Sequence, residues 1–156
     1  MQLSIRPWTE ADASVIAEAL NDAGVTDNLR DGLPTPYTEA DARDYIAFAQ
    51  TAGEGAYAFA IAEDGVAVGS IQLTRQQNIH RRTAELGYYV VRRRWGAGIC
   101  TEAVRQICRF AFENTDVLRI FAEPFAENAA SCRVLEKAGF QLEGVLRRNT
   151  VKNGQV

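Results

Sequence analysis

Glu85-Leu86-Gly87-Tyr88-Tyr89-Val90-Val91 is a run of strand-forming residues, and Leu118-Arg119-Ile120-Phe121-Ala122-Glu123 is another. Between them Val104, Ile107, Cys108 and Ala111 recur at helical spacing, which predicts a helix from about Ile99 to Glu113 with one apolar face. A strand-helix-strand connection of this length most naturally makes the two strands parallel, with a right-handed crossover. The chain must therefore build a sheet with a parallel pair and cover it with helices.

The flanking segments add antiparallel partners. Leu3–Pro7 reads as a short strand, and Thr9 can cap a helix to about Asn21. Asp31–Pro36 is a loop, and Thr38 with Asp41 resembles a capping box opening a helix to about Gln50. Tyr57–Ala62 and Val66–Leu73 flank Glu63-Asp64-Gly65, the signature of a β-hairpin. Asn128–Lys137 is a short helix stopped by Gly139, and Phe140–Leu146 reads as a last strand before the turn signal Asn153-Gly154. The prediction is an α+β domain over 1–156, with a mixed, mostly antiparallel twisted sheet between helices on both faces.

At 156 residues the chain can bury a real core without disulfides or metals. No apolar run reaches ~18 residues, so no transmembrane helix is expected. The first residues lack the basic-then-apolar pattern of a signal peptide. Cys100, Cys108 and Cys132 show no CxxC spacing; they point to a reducing, cytoplasmic setting, to no metal site, and to small buried apolar roles. The net charge of −3 hides an asymmetry. Residues 1–78 hold four basic and twelve acidic side chains, and residues 79–156 hold thirteen basic and eight acidic. A basic second half suggests a local anionic ligand, or attraction between the two halves. Nucleic acid is not indicated, because the chain is acidic and no basic-aromatic pattern recurs.

Between the first strand and the helix lies Arg92-Arg93-Arg94-Trp95-Gly96-Ala97-Gly98. A helix N-terminus exposes unpaired N–H groups and a partial positive charge. Glycines at 96 and 98 let the backbone approach an oxyanion, so the loop is a phosphate cradle or an ordinary turn. Arg93 and Arg94 can add charged contacts to a diphosphate. A Walker loop is excluded by the missing lysine, and GAGICT lacks the third glycine of a dinucleotide loop.

Arg93-x-x-Gly96-x-Gly98 matches the acetyl-CoA diphosphate loop of the GNAT N-acetyltransferase family. Ala84–Tyr88, Trp95–Ala103, Asn128-Ala129-Ala130-Ser131, Leu135–Phe140 and Leu33–Thr38 extend the likeness over nearly the whole chain, most densely at 84–146. The set resembles the ribosomal-protein N-acetyltransferase branch. The resemblance implies the three-layer acyl-CoA N-acyltransferase fold, here without its last strand. It implies transfer of an acetyl group from the cosubstrate acetyl-CoA to an amine acceptor, such as a protein N-terminus, by a monomer or homodimer. Relatives usually continue past the Asn153-Gly154 turn into a returning strand that helps close the acceptor site. Here two residues follow the turn, so the sheet edge is expected to be open.

A protonated amine has no lone pair, so such chemistry needs a base. It also needs a donor for the tetrahedral oxyanion and an acid or electrostatic partner for the thiolate. By resemblance Glu85 is the base, acting through water; the alternative is a strand carboxylate paired with Arg81, Arg82 or another arginine. Ser131 would donate to the departing thiolate, and Asn128 would hold pantetheine, although Asn128 is equally a helix cap. Main-chain groups of Val90 and Val91 would pair with pantetheine, while Arg93, Arg94, Trp95, Gly96, Ala97, Gly98 and Thr101 would line the diphosphate. Trp95 is expected to pack under the loop, Thr101 to bond a phosphate or simply start the helix, and Tyr88 to be core or groove wall. His80 reads as a solvated loop residue. Other readings are acetylation of a small amine such as a polyamine or aminoglycoside, a non-catalytic acyl-CoA-binding module, or a nucleotide-binding protein. Asp27, Asp31, Glu39 and Asp41 could attract a cationic acceptor or simply be solvated.

Overall fold

A computed structural model of the chain describes residues 2–156. Its strands are β1 (Leu3–Arg6), β2 (Ala56–Glu63), β3 (Val66–Arg75), β4 (Thr83–Val90) and β5 (Arg119–Phe121). Its helices are α1 (Ala13–Leu20), α2 (Ala23–Thr26), α3 (Glu39–Thr51), α4 (Ile99–Asn114) and α5 (Ala129–Lys137). The sheet runs in the order β1-β2-β3-β4-β5. Every neighbouring pair is antiparallel except β4–β5, which is parallel, as the strand-helix-strand unit requires.

Strand β2 shows how the sequence sorts the layers. Side chains alternate between faces, so Ala56, Ala58 and Ala60 share one face and Tyr57 and Phe59 the other. The rings meet Phe110 of α4 edge-on, at centroid distances of 5.7 and 5.1 Å. The alanines leave room for α3 to lie close, and Tyr45 on α3 donates to Gln72 Oε1 at 2.6 Å. Gln72 sits directly opposite Ala58, which fixes the shared face. Ile61, Ile71, Leu73, Val104, Ile107 and Ala111 are completely buried where the layers meet. Burying each large aliphatic chain contributes about 1.5–3 kcal/mol.

Local signals act where the sequence places them. Thr38 N donates to Asp41 and Asp41 N donates to Thr38 Oγ1, so the capping box opens α3. Asp64 and Gly65 adopt φ of 49° and 84°, the left-handed pair that closes a tight hairpin. The three cysteines are free and half-buried rather than wholly enclosed.

The last expected strand is not formed. Phe140–Leu146 joins no ladder, and residues 141–150 are all exposed, Leu142 to 83%. The alternating pattern needs a partner backbone, and β5 pairs only with β4; a side-chain ion pair, Arg119–Glu143, is what ties the segment to β5. The expected strand 118–123 is shortened to Arg119–Phe121, which pairs with only three residues of β4, Thr83–Glu85. Asn153-Gly154 does make a turn, closing a bridge between Lys152 and Gln155.

Candidate active site

Strand β4 runs into the glycine loop. Val91 N donates to Val68 O at 2.9 Å, and a 3-10 turn over Arg92–Arg94 reverses the chain. Gly96 and Gly98 take φ of 78° and 74°, and Gly98 is the N-cap of α4. A Cβ at either position would meet nothing within 4 Å, so backbone conformation rather than crowding demands glycine. The loop Trp95–Gly98 is exposed, and the amides of Ile99, Cys100 and Thr101 in the first helical turn have no intrahelical acceptor.

The three arginines do not point free charge at this mouth. Arg92 makes a forked pair with Asp22, at 2.8 and 2.6 Å. Arg93 pairs with Glu18 at 2.9 Å, and Arg94 Nε with Glu63 at 2.8 Å. Arg93 and Arg94, expected against a diphosphate, have carboxylate partners from the first half of the chain in this structure. The acidic first half supplies their partners, and attraction between the halves accounts for the charge asymmetry.

The pairing with Arg92 registers in Asp22. The hydrogen bond from Arg92 holds its carboxyl down at about 2, helped by the Gly24 amide. A carboxyl depressed on folding stabilises the fold above its unfolded value of ~3.9, and that contribution fades as pH falls toward 2. Urea denaturation from pH 5 to 2 should therefore show the advantage of wild type over Asp22→Asn shrinking below about pH 4. A pH-independent gap would show that Asp22 acts by packing alone.

Trp95 does not pack under the loop. It is 49% exposed, its indole N–H donates to Val90 O at 2.8 Å, and the Arg92 guanidinium lies 5.0 Å from its ring centroid. Thr101 is buried in the first turn of α4.

The sheet splits beside the loop. β5 pairs with β4 only through Thr83, Ala84 and Glu85. Among the described residues, no strand pairs with β4 on that side beyond Glu85. Val91 N–H turns to β3, so by alternation the main-chain groups of Val90 turn to the split, where Trp95 engages the carbonyl. The Val90 and Val91 side chains are core, leaving only their backbone for a ligand.

Ser131 and Asn128 stand at the start of α5, beyond the end of β5. Asn128 is the cap: its Oδ1 accepts from Ser131 N at 3.2 Å. Tyr88 OH lies 2.6 Å from Ser131 Oγ. Burial pushes the Tyr88 phenol up to about 12, against the smaller opposing effect of Ser131, so it stays protonated at neutral pH. Tyr88 is more than groove wall, since it fixes the serine hydroxyl. Cys100, beside it in the first turn of α4, is held as a thiol by burial, at about 11.

Glu85 lies three residues from Tyr88 and so on the opposite face. It sits directly across from Thr74, and Gln72 Nε2 on that face donates to Thr74 Oγ1 at 3.0 Å. An open groove of about 640 Å³, lined in part by Phe48, Glu54, Gln72, Thr74 and Arg81, runs along this face. Glu85 is ion-paired, but with Arg30 rather than Arg81 or Arg82. Sequence offered no signal for Arg30, which is 55 positions away. His80 is exposed in a 3-10 turn, as expected. The acids expected to attract a cation are engaged: Asp31 by Lys152 at 2.9 Å, Asp27 by Asn153 at 3.1 Å, Glu39 by Arg43 at 4.0 Å, and Asp41 in its capping box. Among the described residues no group of three His, Cys, Asp or Glu is placed to hold a metal, and no helix is long and apolar enough to cross a membrane.

Comparison with known proteins places this geometry. Probable N-acetyltransferase YjcK of Bacillus subtilis is 40% identical over 93 residues, covering 60% of this chain and 51% of that protein. The chain thus spans about half the length of that relative. Two solved structures share the fold equally well. RimL, a ribosomal L7/L12 alpha-N-protein acetyltransferase in complex with coenzyme A, has a TM-score of 0.82 and 20% identity, covering 99% of this chain and 89% of that one. Spermidine N-acetyltransferase from Vibrio cholerae, in complex with CoA and spermine, has a TM-score of 0.82 and 18% identity, with the same coverage. Residues 2–141 match the model of the acetyltransferase (GNAT) domain, and the chain belongs to that family.

Proposed function

We propose that this domain transfers an acetyl group from acetyl-CoA to a primary amine, the α-amino group of a protein, by direct attack in a ternary complex. The observation that carries the reading is the split between β4 and β5. It puts Glu85 on one sheet face and Ser131 on the other, on either side of one opening. A thioester lying in that opening meets a base from the α3 side and a hydrogen-bond donor from the α5 side.

The diphosphate rests on amides of residues 96–101, and pantetheine follows the free edge of β4 past Asn128. The amine gives a proton toward Glu85, directly or through water, and attacks the carbonyl carbon. Main-chain N–H at Val90 stabilises the oxyanion. The C–S bond then breaks as the tetrahedral nitrogen sheds its second proton, which passes through solvent to the leaving thiolate, while Ser131 Oγ–H, oriented by Tyr88, donates a hydrogen bond to that sulfur. Holding both reactants in one complex supplies much of the rate.

Two points favour an α-amine over a polyamine. The exposed carboxylates Asp27, Asp31 and Glu39 are each paired within the chain, which leaves them less available to a polycation. An α-amine of pKa ~8 also surrenders its proton to a carboxylate more readily than a lysine-like amine of pKa ~10.4. Acetylation of a panel of short peptides, spermidine and an aminoglycoside, read by mass spectrometry, tests this. Peptide α-amines should give the highest kcat/KM; preferred turnover of spermidine or the aminoglycoside would overturn the choice of acceptor.

A further inference from the structure

Arg30 lies in the segment between α2 and α3, where residues 30–36 are all exposed. Its end near α3 is anchored by Asn21, which exchanges hydrogen bonds with the Tyr37 main chain at 2.7 and 2.8 Å. Leu29 packs against the core, and around it the segment is tied by polar contacts: Asp31 to Lys152, Asp27 to Asn153, and Arg30 to Glu85. The Arg30 side chain is 67% exposed, whereas Glu85 is 25% exposed. A pair with so exposed an arginine is weak and readily exchanged.

We propose that Arg30 occupies the seat of the acceptor amine on Glu85 and is expelled by it, making Arg30 a specificity-determining residue. This rests on Glu85 being the base. A primary ammonium carries the same single charge as a guanidinium and offers N–H donors to the same carboxylate oxygens. A cationic acceptor can therefore take Arg30's place without leaving Glu85 uncompensated. Water or an alcohol cannot, because neither brings a charge. While Arg30 stays in place, Glu85 is withheld from neutral nucleophiles, and the thioester is spared hydrolysis. The amine then surrenders a proton to the carboxylate it has just reached, and Arg30 returns when the neutral amide leaves.

The test is Arg30→Ala, with Arg30→Lys as the conservative control and circular dichroism as a check on folding. With a short peptide bearing a free α-amine, Arg30→Ala should lower the amine KM about three- to tenfold, with acetyl-CoA KM unchanged. Hydrolysis of acetyl-CoA without acceptor should rise. Guanidinium chloride at millimolar concentration should inhibit Arg30→Ala competitively with the amine and leave wild type unaffected, a rescue that a merely structural role would not give. An unchanged or raised amine KM, or equal guanidinium sensitivity, overturns the proposal. A readout without turnover separates its failure from failure of the acetyltransfer reading. In wild type with CoA, n-butylammonium should shift the Arg30 Nε–H resonance in nitrogen-15 spectra, and Glu85→Gln should abolish that shift. A motionless resonance defeats the exchange even in an active enzyme; a moving one upholds it even if no peptide is acetylated.

Discussion

Glu85→Gln is expected to lower kcat by roughly 10²–10⁴-fold, the usual worth of a positioned base, while CoA affinity stays within about twofold of wild type. Glutamine keeps the size and hydrogen-bonding reach of glutamate but cannot take up the amine proton. Glu85 lies on the face opposite Ser131 and has its own cross-strand neighbour in Thr74, so the substitution leaves the cofactor side of the split untouched. Raising pH should partly restore the rate, because a larger share of the amine then arrives neutral. Steady-state kinetics with calorimetric CoA binding provides the check. Unchanged turnover would remove Glu85 from the chemistry and leave it as a partner for Arg30.

Gly98→Val is expected to weaken CoA binding by at least about tenfold without unfolding the domain. Gly98 caps α4 at φ 74°. A left-handed conformation costs an ordinary L-residue about 1–2 kcal/mol, and a β-branched one is a worse fit. Since 1.4 kcal/mol is a factor of ten in affinity, relaxing the loop to escape that strain forfeits an order of magnitude or more. Nothing lies within 4 Å of the added Cβ, so the demand for glycine comes from the backbone conformation rather than from crowding at that atom. The buried contacts of Val104, Ile107 and Ala111 keep α4 in place. Calorimetric titration of CoA, beside thermal melts, separates the two effects. Wild-type affinity in Gly98→Val would mean the main chain of this loop does not bind the diphosphate.

Local rules were readable because they act over a few residues. The apolar spacing of α4 located the parallel unit, Asp64-Gly65 located the hairpin, and Thr38 with Asp41 located the start of α3. Phe140–Leu146 misled because alternation describes a strand that has a partner, and no neighbouring backbone pairs with it here. The glycine turn was legible in Gly96 and Gly98, whose positive φ values need no distant contact. The arginines were not, since their partners Asp22, Glu18 and Glu63 come from elements far along the chain. Tyr88 and Arg30 escaped for the same reason. Only the fold brings a β4 phenol to a serine 43 positions on, or an exposed loop arginine to a strand carboxylate.

The most direct measurement is a crystal structure with acetyl-CoA or CoA bound. The expected result is a diphosphate within hydrogen-bond reach of the amides between Gly96 and Thr101, with the thiol end in the β4–β5 split near Ser131. A diphosphate held elsewhere, or held by Arg93 and Arg94 after they abandon Glu18 and Glu63 while the glycine amides face away, would contradict it.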